Sequence, residues 1–147
     1  MQISIKMDDK QVIKKLGTIS TGLKNFKEPL NKVGDDLVKF YGEKVFETQG
    51  SAIGSKWAGL SPSTMDARLN RRGHYSNSPI ATSKILIWTG ALKKGFQKKV
   101  SSVKLIVSNN VKYFKYNQGK RPMLGINREV INIVVKRFEE YIKKLIK

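Results

Sequence analysis

Two long apolar stripes at helical spacing, one near each end of the chain, constrain this sequence more than any other feature. The first runs through Leu30, Val33, Leu37, Tyr41 and Val45 and is widened by Val38, Phe40 and Phe46. The second runs through Val130, Ile133, Val134, Phe138, Tyr141, Ile142 and Leu145. Residues three and four apart share one face of an α-helix, so each stripe predicts an amphipathic helix with a face to bury. Pro29 suits the first turn of the earlier helix and Gln49-Gly50 ends it; Asn127 caps the later one. These read as helices over 29–48 and 127–146.

The residues between and before them supply smaller elements. Ile3, Ile5 and Met7 alternate with Gln2, Ser4 and Lys6, the pattern of a half-buried strand. Asp8 or Asp9 then caps a helix over 9–24, with Val12, Ile13, Leu16, Ile19 and Leu23 at helical spacing. Ser61-Pro62 is an N-cap followed by proline at the first helical position, predicting a short helix over 62–70. Phe96–Val100 and Val103–Val107 read as two strands around Ser101-Ser102, and Asn109-Asn110 as a turn. The run Ile85–Trp88 fits a buried strand or a helix end, and periodicity does not decide between them. The expected fold is α+β: a small antiparallel sheet from residues 1–7 and 95–108, packed with two N-terminal helices and a long C-terminal helix. The 147 residues make one domain, 1–147, with a polar, basic, flexible loop at about 70–82.

Charge is distributed unevenly. The net charge is +18. Residues 51–128 hold fifteen Lys and Arg against one acid, Asp66, while the flanking segments are each close to +2. A segment this basic calls for a counter-charge: an acidic protein surface, nucleic acid or an anionic membrane. Arg71, Arg72, Lys93, Lys94, Lys98 and Lys99 are the candidate docking or DNA-facing cations. Docking on an acidic neighbour ranks first and non-specific DNA contact second. A basic, amphipathic last helix admits membrane binding, but Glu129, Glu139 and Glu140 on its polar side favour an ordinary core-facing helix, so no membrane partner is expected.

Residues that carry covalent or metal chemistry are sparse. Cysteine is absent and His74 is the single histidine. One histidine falls short of the three or four ligands of a usual metal site, and no acid lies near it in sequence to complete a triad. Asp35 and Asp36 are adjacent, so on a helix they point to different sides. Gly90-Ala91-Leu92-Lys93-Lys94-Gly95 has the residues of a phosphate loop but not its spacing. No cofactor, no metal and no enzymatic activity are expected.

Four boxes do form a recognisable order. Trp57-Ala58-Gly59-Leu60-Ser61-Pro62-Ser63-Thr64 comes first, then Leu86-Ile87-Trp88-Thr89-Gly90-Ala91-Leu92. Tyr113-Phe114 with Asn117-Gln118-Gly119 follows, and Arg121-Pro122-Met123-Leu124-Gly125 closes the series. This succession resembles the phage virion morphogenesis family, which includes tail-completion and head–tail joining proteins of tailed bacteriophages. The third box departs from the family pattern, with Phe114 in place of Ala and Asn117 in place of His. The resemblance implies that Trp57, Leu60, Thr64, Leu86, Thr89, Gly90, Leu92, Tyr113, Gln118, Gly119, Arg121, Pro122, Leu124 and Gly125 build an assembly fold. It implies a structural protein of the virion tail or neck, made in the host cytoplasm. Its partners would be other tail and neck proteins, and it would be a monomer in solution that forms a homo-oligomeric ring on its platform. The alternative is a basic nucleic-acid-binding protein, in which Tyr113, Phe114 and Tyr116 interleave with Lys112 and Lys115 as a stacking platform.

Overall fold

The computed structural model describes residues 9–54, 56–78 and 82–147. The chain is α+β, with two N-terminal helices, a two-stranded antiparallel sheet and a long C-terminal helix. The helices are α1 (Asp9–Lys24), α2 (Lys27–Lys39), α3 (Val45–Glu47), α4 (Pro62–Leu69), α5 (Ala91–Lys94), α6 (Phe114–Lys120) and α7 (Arg128–Ile146). The strand expected over residues 1–7 lies outside the described residues.

α2 and α3 are one continuous run, joined by a π-helical turn at Phe40–Lys44. A π turn inserts one extra residue and rotates the following face. Here it lets Phe40, Tyr41 and Gly42, three successive residues, all be buried. That is why the sequence stripe looked wide: two helical faces in register with one core meet at this turn. Gly42 is required there, because a Cβ would sit 2.9 Å from the Lys93 carbonyl oxygen.

β1 (Phe96–Val100) pairs with β2 (Leu105–Asn109) from Phe96↔Asn109 to Val100↔Leu105. Alternation turns Phe96, Lys98 and Val100 toward α2 and leaves Gln97 and Lys99 on the outer face. Gly34 of α2 lets this sheet approach; a Cβ on it would meet the Lys98 Cδ at 2.6 Å. The second strand starts two residues later than its apolar pattern predicts. Ser101 N–H donates to Lys104 O at 2.8 Å, so the turn consumes 101–104 and Val103 is 74% exposed. Asn109, expected in a turn, is the last strand residue, and Asn110 N–H closes back on Gly95 O.

α7 lies along α2. Arg137 spans the two helices, with Nε 2.6 Å and Nη2 3.1 Å from the Asp36 carboxylate. Phe26 and Phe138 meet with ring centroids 5.6 Å apart. α1 joins the far end of α7, where the Tyr141 hydroxyl donates to Gly22 O at 3.0 Å. The core gathers Val33, Leu37, Phe40, Val45 and Phe46 from the α2 run, with Trp57, Ile85, Leu92, Phe96, Met123 and Val130. Residues 85–88 form neither strand nor helix end. Ile85 is buried and held by Gln49 Oε1, while Leu86 takes a left-handed φ of 60°.

Candidate assembly surface

Trp57 anchors the loop between the α2 run and α4. Its ring is 4% exposed and meets Phe46 edge-on at 5.4 Å. Its indole N–H donates to Pro122 O at 2.7 Å, and its backbone N–H donates to Gln49 O at 2.7 Å. Gln49 stands at φ 51°, where the α2 run ends, and Gly50 follows at φ 90°. A left-handed end of this kind frees the chain to turn back on the helix.

Gln118 does the corresponding work for the segment before α7. Its Oε1 accepts from Met123 N at 2.7 Å and Leu124 N at 3.0 Å, and its Nε2 donates to Leu124 O at 2.7 Å. One side chain thus replaces the backbone pairing that the turn-rich stretch 122–125 lacks. The Tyr41 hydroxyl donates to Gly125 O at 2.6 Å, and burial raises the Tyr41 pKa above its ordinary value. Arg121 reaches Ala58 O at 3.4 Å. Asn127 caps α7 through Val130 N–H at 3.0 Å and reaches back to Ala52 O at 2.5 Å. Met123, between these bonds, is fully buried. Trp57 from the first box, Gln118 from the third and Arg121, Pro122, Leu124 and Gly125 from the fourth therefore form one latch. Gln49, Tyr41 and Asn127 complete it; of these, sequence reasoning singled out Asn127 as a cap and Tyr41 as a core residue, and gave Gln49 no more than a helix end.

The second box builds a neighbouring feature. Gly90, at φ 75°, precedes the single turn of α5, and Thr89 Oγ1 accepts from Ala91 N at 3.3 Å. Leu92 is buried, and its carbonyl accepts from Asn109 Nδ2 at 2.7 Å. Leu86, Trp88, Thr89 and Leu92 line a cavity of about 570 Å³ together with Arg68, Tyr113 and Asn117. His74, Tyr75 and Trp88 cluster beside it, the His74 and Trp88 rings 4.7 Å apart. The described part of the 70–82 loop thus carries a 3-10 turn, Gly73–Tyr75, seated on Trp88. Leu60 is half-buried against the core. Thr64 and Gly119 stay out of the latch: Thr64 N–H is capped by Ser61 Oγ at the start of α4, and Gly119 is exposed on α6.

The candidate cations sit in different local settings. Arg71 is exposed at φ 51°, and Arg72 pairs with Asp66 at 3.2 Å. Lys93 and Lys94 close α5. Lys98 faces inward, 2.6 Å from Asp35 and 2.9 Å from Asn31 O, and Lys99 faces out from the next position. Asp35 and Asp36 do diverge as their adjacency requires, one to β1 and the other to α7. Of the aromatic run, Phe114 packs on Phe96 while Tyr113 is 46% and Tyr116 79% exposed.

Among the described residues, no group of three or more His, Cys, Asp or Glu is placed to hold a metal ion, and no helix is long and apolar enough to cross a membrane. What the fold and the latch define is an α+β domain whose boxes are tied together by side-chain-to-backbone bonds. No family model, no curated protein and no solved structure matches the chain.

Proposed function

We propose that the chain is a structural assembly protein of a tailed bacteriophage or prophage, acting in tail completion and stable head-to-tail joining. The observation that supports this reading is the latch. Residues of three boxes, scattered from Trp57 to Gly125, meet in one set of side-chain-to-backbone bonds around Met123. Each side chain holds a segment in shape. That is the work asked of a subunit whose function is to present a fixed surface to its neighbours. The uneven charge supplies the second element: with fifteen Lys and Arg against one acid in residues 51–128, the docking partner is an acidic protein surface at the tail's upper end or neck. The side chains act by binding, with no covalent step.

Deleting the gene from the phage or prophage that carries it tests the reading. Full heads and separate tails should accumulate, with joined particles restored by the wild-type gene in trans. Normal yields of joined, infectious particles would contradict it.

The nucleic-acid reading retains one specific support: Tyr113 and Tyr116 are exposed beside the exposed Lys112 and Lys115. It predicts binding of single-stranded DNA by the isolated protein that falls steeply with salt and weakens with Tyr116→Ala, by about 1–3 kcal/mol for each stacked base.

A further inference from the structure

β2 is an edge strand whose open side faces a groove. Among the described residues it pairs with β1 alone. A groove of about 510 Å³ opens between it and α7, lined by Val107 on one side, by Val130, Ile131 and Val134 on the other, and by Leu37 and Tyr41 from the α2 run. The apolar surface continues outward, with Ile126 83%, Ile131 51% and Val135 47% exposed. An unpaired edge beside an apolar groove is a template for strand addition: backbone bonds give affinity, and alternate side chains fill the groove.

The chain carries a segment of the required pattern, in which Ile3, Ile5 and Met7 alternate with Gln2, Ser4 and Lys6. Its point of attachment decides which groove it can reach. α1 runs antiparallel to the end of α7, with Gly22 at Tyr141 and Lys15 Nζ 3.5 Å from Ile146 O. At the helical rise, Asp9 lies ~20 Å beyond Gly22, whereas Val134 lies ~10 Å from Tyr141 in the opposite direction. Met7 is two residues from Asp9, a reach of at most ~7 Å. That attachment, at the end of α1 away from the groove, favours the groove of a second copy as the one to be filled.

We propose that residues 2–7 of one copy add as a third, antiparallel strand to the β2 edge of a second copy, with Ile3, Ile5 and Met7 in the groove. Charge favours this segment over the rest of the surface. Copies with a net charge of +18 repel one another, but residues 2–9 set Lys6 against Asp8 and Asp9. Antiparallel addition carries the acidic end toward Lys104, whose ammonium makes no ion pair among the described residues. Exchange passed from copy to copy is head-to-tail and closes into a ring or extends into a filament.

The absence of cysteine makes the test clean. Ser108 lies on the outer face of β2, the side that Gln2, Ser4 and Lys6 would share. Full-length Ser4→Cys and Ser108→Cys chains are mixed in equal amounts and mildly oxidised, and disulfide-linked pairs are counted by mass spectrometry. Docking raises local thiol concentration, so the mixed pair should exceed either like pair by about tenfold or more. Adding Ile3→Lys and Ile5→Lys to the Ser4→Cys chain should abolish the excess while circular dichroism stays unchanged. A mixed pair at the statistical level would overturn the proposal. So would a doubly substituted chain that closes on itself as a monomer.

Discussion

Gln118 shows how much one side chain can hold. Three backbone groups, Met123 N–H, Leu124 N–H and Leu124 C=O, find their partner in its amide. Gln118→Ala should cost about 3 kcal/mol or more, since three part-buried groups lose their partner and each left unpaired costs ~1–3 kcal/mol. Gln118→Glu keeps an acceptor for the two N–H groups but sets a carboxylate oxygen against the Leu124 carbonyl, so it should destabilise as well; urea denaturation of the three proteins measures both. Asp36 gives a pH-dependent counterpart. Hydrogen bonds from the Arg137 guanidinium, against a smaller opposing effect of burial, hold its carboxyl below the ordinary value of 3.8. A carboxyl depressed on folding contributes stability that is present above its unfolded pKa and lost as pH falls through its folded one. Asp36→Asn should therefore lower Tm by a few degrees at pH 5–7, and the gap to wild type should narrow below about pH 3.8. A gap that stayed constant down to pH 2 would remove the ion pair from the account.

At the scale of elements, the π turn is where local sequence and packing meet. Gly42→Ala would drive a methyl group against the Lys93 carbonyl oxygen, 2.9 Å away. Backbone rather than a flexible side chain must give way, so the substitution should cost ~1–3 kcal/mol, as overpacking does. It should also disturb amide signals of α5 and β1 in a 15N NMR spectrum; an unchanged spectrum would show that α5 does not seat on this turn. The long elements were legible because their signals are strong and local: two stripes of apolar residues, Asn127 as a cap, and Ser61 before Pro62. All four sequence-predicted helices, over 9–24, 29–48, 62–70 and 127–146, have counterparts. The short elements were not. α6 begins at Phe114 and encloses Gln118-Gly119, so its seven residues carry a glycine and too few turns for a period to emerge. Residues 85–88 are shaped by Gln49, thirty-six positions earlier. The π turn left a trace, a stripe too wide for one face, but a straight helix reads the same way.

For the whole molecule, the candidate site was legible as a list and not as a shape. Trp57, Pro122 and Leu124 were already grouped by their boxes, yet that Trp57 donates to the Pro122 carbonyl depends on a separation of sixty-five residues. The six candidate cations were chosen from sequence density. Folding distributes them, because successive strand residues such as Lys98 and Lys99 face opposite ways and Lys98 is held by Asp35. The charge that remains outside is a property of the surface; if it steers the subunit onto an acidic platform, as proposed, high salt should slow docking more than it weakens the docked state. Stopped-flow association with isolated tails at two ionic strengths would measure that. The central claim, that this domain is a joint in a particle, is tested most directly by where it sits. Immunogold labelling of intact particles should place the protein at the junction of head and tail. Label at the baseplate, or particles free of the protein, would contradict the account.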